Sequence, residues 1–313
     1  MSFPTGLNGK WNVGAVEITR HVELETDKGN QFILPGATKD VVKSVPWLYP
    51  TFANERGAMK LSIHMLVIDT PDGKRIGVDT CIGNDKKRGF PAWTNRSGPF
   101  VEEITQAGYA PETFTHIMCT HLHVDHVGFN TVLDKTSGKW LPTFPNAKYI
   151  FGKTEFEHWL KETRETGGSG GTTDSEIMHD SILPIVEAGL SMLVDSDAII
   201  VNESNCIIRL IPTPGHTPGH ISVFIQSNGE EALITGDCIH HPVQMARLDI
   251  GAVNADSDIR QASQTRMMLL GRLADDKPKC RVFGTHFATP SCGFVRRDGA
   301  AFKFILNVDE GKM

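Results

Sequence analysis

Thr120-His121-Leu122-His123-Val124-Asp125-His126 is the stretch on which the reading of this chain turns. It follows a strand-like run, His116–Cys119, so its side chains project from a strand end into a loop. Residues i and i+2 of an extended segment share a face, so His121 and His123 can aim at one centre. Asp125 and His126 come one step later, where a turn would aim them at a second. Imidazole nitrogen and carboxylate oxygen are the donors that zinc and related divalent ions prefer. With 13 His in 313 residues, chance placement of H-x-H-x-D-H has a probability on the order of one in a thousand. Idle surface histidines are a poor explanation.

Further donors stand at other strand-to-loop junctions. His216 lies in Pro212-Thr213-Pro214-Gly215-His216-Thr217-Pro218-Gly219-His220, just after an apolar run. Asp237 follows Leu233-Ile234-Thr235-Gly236, and His286 follows Val282-Phe283-Gly284-Thr285. A glycine beside each lets the backbone turn tightly. Together these loops offer more donors than a structural zinc site, which usually closes at four.

The rest of the sequence frames this centre. Its 40% hydrophobic and 22% charged residues are those of an ordinary globular protein, and a chain of this length buries a core without disulfide staples. A net charge of −6 argues against a nucleic-acid binder, which needs a basic face. The longest basic run, Lys86-Lys87-Arg88, reads as a solvated loop. No apolar run is long enough to span a bilayer, and Met1–Gly6 lacks a leader-like basic or apolar region, so a cytoplasmic protein is expected. The cysteines 81, 119, 206, 238, 280 and 292 are scattered without a C-x-x-C pair and read as small buried residues.

Strand-like runs are expected at 13–20, 61–70, 75–79, 116–119, 148–151, 206–211, 221–226, 232–235 and 281–283. Helical periodicity fits 100–107, 154–161, 175–187 and 257–274. In the last, Ile259, Ala262, Met267, Leu269, Leu270 and Leu273 are the residues expected to be partly buried. The pattern predicts sheets covered by helices in a single domain, 1–313, with an N-terminal loop at 45–58 and a Gly-rich insertion at 166–174.

The H-x-H-x-D-H set with the later His, Asp and His resembles the metallo-β-lactamase superfamily, from about Leu61 to Phe302–Phe304. The resemblance implies an α/β (α+β) fold, a four-layer αββα sandwich of two mixed sheets. It implies two divalent ions, zinc first and Mn, Co or Fe as alternatives. His121, His123 and His216 would hold one ion; Asp125, His126 and His286 the other; Asp237 would bridge them. Asp79 of Gly77-Val78-Asp79-Thr80 matches an aspartate that orients a ligand histidine.

Within the superfamily, Thr213–His220, Thr235-Gly236-Asp237, Thr285–Pro290 and the block Asp256-Ser257-Asp258 with Thr265-Arg266 resemble the branch of methyl parathion hydrolase and related lactonases. The implied activity is hydrolysis of an uncharged ester-like small molecule (lactone, phosphotriester or carboxylic ester) by a hydroxide that the two ions share. Asp125 would also steer that nucleophile. Quorum-quenching lactonases of the superfamily carry a substrate-contacting tyrosine three residues after the bridging aspartate. Here that position is His240, whose imidazole could donate a hydrogen bond or proton to the leaving group, or simply pack under the loop. His220 and His64 read as structural, and Cys238 as a buried thiol.

Trp47, Phe90, Trp93 and Trp159 are candidate walls of an apolar pocket. Hydrolytic dehalogenation of an activated arene and iron-dependent redox chemistry are the alternatives. Against the redox alternative stands His123, where di-iron relatives carry a Glu. A homodimer is left open, and neither a nucleic-acid nor a membrane partner is expected.

Overall fold

The computed structural model describes residues 9–27, 32–165 and 176–307; the Gly-rich stretch expected at 166–174 lies outside them. Backbone contacts group the chain into two compact units, one drawn from Met1–Asn12, Val16–Glu23 and Ile63–Ser196, the other from Val13–Ala15, Leu24–Ser62 and Asp197–Met313.

The first seven-stranded sheet has the order β1 (Lys10–Val13), β2 (Val16–Thr26), β3 (Leu61–Asp69), β4 (Arg75–Val78), β5 (His116–Met118), β8 (Lys148–Gly152), β9 (Ser191–Val194). It is mixed: β3 and β4 pair antiparallel, while β4, β5, β8 and β9 run parallel. Parallel strands need crossovers: the helix Phe100–Gln106 lies between β4 and β5 and the helix Lys153–Glu165 between β8 and β9, while an irregular loop and a short ribbon connect β5 to β8. Burial is nearly continuous along β3 and β4, the pattern of strands covered on both faces. A two-stranded ribbon, β6 (Thr131–Asp134) with β7 (Lys139–Pro142), leaves the chain after the His-rich loop.

The second seven-stranded sheet runs β10 (Ile199–Glu203), β11 (Cys206–Pro212), β12 (Ile221–Ser227), β13 (Glu230–Ile234), β14 (Arg281–Phe283), β15 (Cys292–Asp298), β16 (Ala301–Ile305). Only β13 and β14 are parallel. Their connection carries the helix Ile259–Asp275, started by the Asp258 side chain, which accepts from the Gln261 N–H. Phe52, Phe287 and Phe304 meet edge to face, with ring centroids 5.2–6.1 Å apart, at the centre of this unit's core. The segment 45–58 is part of that core rather than a free loop, since Leu48 and Phe52 are buried in it.

Four expectations need correction. The run 13–20 is two strands, because Gly14 turns the chain at φ 57° and a Cβ there would sit 2.1 Å from the Ser227 carbonyl oxygen. On the 259–275 helix, Ile259 and Met267 are exposed, while Thr265 and Arg266 are buried. These polar residues face inward because they bond loop carbonyls: Thr265 Oγ1 donates to Pro214 O at 2.7 Å and Arg266 Nη2 to Ile250 O at 3.1 Å. The helix expected at 175–187 is broken, with a π turn at Met178–Ile182 before Leu183–Glu187.

The basic trio is not a solvated loop either. Lys86 is 1% and Arg88 6% exposed. Arg88 donates to both Asp180 carboxylate oxygens, at 2.7 and 3.0 Å. Lys86 Nζ donates to Thr131 Oγ1 at 2.7 Å and lies 3.7 Å from the centre of the Trp140 ring. Burial draws the Lys86 ammonium down to about 7, against the opposing pull of Asp180. Only Lys87 faces solvent.

Candidate metal centre

In the first unit, β5 ends at Met118 and the chain enters an irregular loop that carries His121, His123, Asp125 and His126. Asp79, at the end of β4, organises it. Its carboxylate accepts from Thr120 N at 2.8 Å and Thr120 Oγ1 at 2.9 Å, and His126 Nδ1 lies 2.9 Å away. With the carboxylate as acceptor, His126 carries its proton on Nδ1 and presents the Nε2 lone pair; Nε2 lies 3.6 Å from Asp125 Oδ1. The His121 ring is 4.6 Å from His123 and 4.0 Å from His126, centre to centre. His121 and His126 are buried, whereas His123 and Asp125 are partly open. Gly128 permits the close return of the loop: a Cβ there would lie 1.8 Å from the Ile82 carbonyl oxygen.

Glu155, buried on the 153–165 helix, braces the same loop. Its Oε1 accepts from Leu122 N at 3.1 Å and from the Trp159 indole N–H at 2.7 Å, and the Trp159 ring stands edge-on to His123 at 5.5 Å. Trp159 therefore borders the loop of His121–His126.

In the second unit, Asp237 is the hub. It follows β13 in a short 3-10 turn, and its backbone N–H donates to His220 Nε2 at 2.9 Å, which gives His220 a structural role. Three imidazoles converge on the Asp237 carboxylate. His216 Nε2 lies 3.4 Å and His240 Nε2 3.1 Å from Oδ2, and His286 Nε2 lies 3.1 Å from Oδ1. His216 Nδ1 faces Asp256 Oδ1 at 2.9 Å, and His286 Nδ1 faces the Ser62 carbonyl oxygen at 2.9 Å. A carbonyl only accepts, so His286 holds its proton on Nδ1 and presents Nε2 to the cluster. Burial raises the Asp256 carboxyl above its ordinary value, with the nearby His240 opposing.

The His216 loop is locked onto the 259–275 helix. Ser257 N donates to His216 O at 2.8 Å and Asp258 N to Gly215 O at 2.9 Å. Gly215 has φ 131°, and a Cβ would lie 2.2 Å from Ala262 N, so only glycine fits this contact. Asp256 as partner of His216, and Ser62 as partner of His286, were not singled out from sequence. Asp256 stood in a recognisable block without a role, and a backbone carbonyl leaves no sequence signal.

The remaining candidates are dispersed. Phe90 and Trp93 pack on each other at 5.0 Å in the first unit. Trp47 lies in the 3-10 turn Pro46–Leu48, partly buried against the core of the second. Cys238 is buried and its thiol is pushed up to about 12 by that burial, which removes it as a nucleophile. All six cysteines are buried and none forms a disulfide.

Comparison with known proteins places this geometry. A family model described as the metallo-beta-lactamase superfamily matches residues 60–286. An N-acyl homoserine lactonase of Bacillus thuringiensis is 23% identical over 193 residues, 58% of this chain and 65% of the relative. The N-acyl homoserine lactonase AttM of Rhizobium radiobacter is 26% identical over 141 residues, 45% of this chain and 47% of the relative. The chain thus spans less than two thirds of the length of either. Among solved structures, AidC, a dizinc quorum-quenching lactonase, superposes with a TM-score of 0.72 at 24% identity, covering 96% of this chain and 97% of its own. AbOPH, a hydrolase in the beta-lactamase superfamily, gives 0.76 at 21% identity, covering 98% and 99%. These likenesses establish the expected fold class of two mixed sheets with helices. With the family match running through the His-rich loop, Asp237 and His286, the chain belongs to the metallo-beta-lactamase superfamily.

Proposed function

We propose that the protein is a dinuclear-metal hydrolase of uncharged ester-like small molecules, with lactones the leading substrate class. The observation that carries the metal reading is the convergence of three Nε2 atoms on Asp237 at 3.1–3.4 Å. Donors bound to one tetrahedral ion at 2.0–2.1 Å stand about 3.3 Å apart, so the donor set and spacing suit a divalent ion such as zinc. In this reading His121, His123 and His216 would hold one ion and Asp125, His126 and His286 the other, with Asp237 available to both. When bound, such ions supply a water of lowered pKa and a Lewis acid for the substrate oxygen.

The chain's own contribution is to fix proton positions and ligand directions. Asp79 and the Ser62 carbonyl hold protons on the Nδ1 atoms of His126 and His286. Asp256 is placed to do the same for His216. Asp125, partly open to solvent, is proposed to steer the attacking water and take its proton. His240 is proposed as the other catalytic side chain. Trp159 is proposed to wall the substrate site beside His123, with Phe90, Trp93 and Trp47 as further candidates. The preference for lactones is supported by the lactonase relatives.

The test is kcat/KM on zinc-loaded protein for a lactone and a phosphotriester of matched size, with Asp237→Ala as control. We expect the lactone to be preferred by about a thousandfold, roughly 4 kcal/mol of transition-state stabilisation, and Asp237→Ala to lose both activities. A reversed preference would move the substrate class to phosphotriesters. Lactone hydrolysis surviving in Asp237→Ala would overturn the metal reading.

A further inference from the structure

The catalytic role proposed for His240 leaves its chemistry open. His240 is 0% exposed; among the described residues its Nδ1 has no hydrogen-bond partner, and its Nε2 meets only Asp237 Oδ2, at 3.1 Å and without hydrogen-bond geometry. Burying a ring whose nitrogens make no hydrogen bond costs about 1–3 kcal/mol, and the one polar atom near Nε2 belongs to the proposed metal cluster.

The backbone around His240 is pinned on both sides. Gln244 Oε1 accepts from His240 N at 2.8 Å and His241 N at 3.3 Å, and Gln244 Nε2 donates to Ile250 O at 3.2 Å. The neighbouring His241 is fully used as structure: Nε2 donates to Phe52 O at 2.8 Å, and Nδ1 accepts from Val243 N at 3.0 Å. His240 is therefore aimed rather than loose. Its ring lies parallel to that of His286, 9° apart in plane at 6.0 Å, and edge-on to His216 at 4.8 Å. One donor atom from each of His216, Asp237 and His240 lies within 4.8 Å of the others. The 3.1 Å from His240 Nε2 to Asp237 Oδ2 matches the edge of a coordination polyhedron as well as the 3.4 Å from His216 does.

We infer that His240 is an additional ligand for the divalent ion held by His216 and Asp237, rather than an acid delivering protons to substrate. This rests on the proposed metal centre and assigns a role to a residue outside its ligand set. The ring's Nδ1 has no acceptor, unlike those of His216 and His286, and metal-bound imidazoles are strengthened by such acceptors. His240 would accordingly be the weaker ligand.

The test uses full-length protein stripped with chelator and reloaded with Co(II). His240→Cys should show a near-ultraviolet sulfur-to-cobalt charge-transfer band. His240→Ala should bind one of its cobalt ions at least ~10-fold more weakly than the wild type, a smaller loss than His216→Ala causes. Proton NMR of the cobalt-loaded wild type, which needs no variant, should show one hyperfine-shifted ring N–H more than His121, His123, His126, His216 and His286 supply. Wild-type cobalt affinity in His240→Ala, with no new band in a cobalt-loaded His240→Cys and no extra N–H signal, would overturn the inference alone. A wild type that takes up no cobalt would overturn the metal reading and the inference with it.

Discussion

At the scale of single residues, the centre depends on acceptors that fix which ring nitrogen holds a proton. Asp79 meets His126 at Nδ1 and so sets its tautomer, leaving Nε2 as the donor atom of the proposed centre. Asp79→Asn keeps an oxygen for the Thr120 N–H but turns an NH2 toward His126, which drives the ring proton to Nε2 and blocks the donor atom. The expected result is a 10–100-fold loss of metal affinity with the fold intact, read by chelator competition and circular dichroism. Unchanged affinity would mean that His126 is not held as a ligand. The histidines of the 121–126 loop were legible because their motif is contiguous and improbable by chance. Asp256 and Ser62 were not, because each meets its histidine across a long stretch of chain. Lys86 and Arg88 were misread because Asp180, their partner, lies beyond the Gly-rich segment in sequence.

At the scale of elements, the loops that carry ligands are held by backbone contacts that tolerate little change. Gly215→Ala would put a methyl group 2.2 Å from Ala262 N at a φ of 131°. We expect it to destabilise the protein by about 2 kcal/mol or more and to weaken metal binding, since the same turn carries His216. Denaturant unfolding with and without metal measures both effects; a loss below about 0.5 kcal/mol would contradict the packing.

The Lys86 network gives a pH dependence of defined sign. Below about 7 both the folded and unfolded chains hold the Lys86 proton, and the folded one bears the desolvation cost. Between about 7 and 10.5 the folded chain has released a proton that the unfolded chain keeps, so stability rises with pH through that window. The contribution has a slope of at most about 1.4 kcal/mol per pH unit. Lys86→Met should remove this slope, seen by comparing unfolding free energies of the two proteins from pH 7.5 to 9; parallel profiles would contradict the assignment.

Strands β3, β4, β5, β8, β11, β12, β13 and β14 were visible as apolar runs because burial repeats along them. The edge strands β9, β10 and β16, the hairpin partner β15 and the β6–β7 ribbon were not. They alternate with polar residues or expose apolar ones such as Leu193 and Ile199, so their pairing is decided by the sheet and not by local pattern.

At the scale of the whole molecule, the family is carried by the motif and the match over residues 60–286, and two seven-stranded mixed sheets agree with it. Sequence alone leads to sheets covered by helices and stops there, because strand order and direction depend on long-range pairing. Among the described residues no helix is long and apolar enough to cross a membrane. If metal binds only the folded chain, saturation at a hundred times the dissociation constant adds about 2.7 kcal/mol of stability. Chelator should therefore lower the melting temperature, and zinc should restore it.

Whether these histidines and aspartates form a two-metal centre is decided by counting bound ions. Chelator-stripped protein is titrated with zinc against a coloured competitor, for the wild type and for Asp237→Ala. The account predicts two tight equivalents per chain in the wild type and loss of at least one in the variant. One equivalent or none in the wild type, or two retained after removal of Asp237, would contradict it.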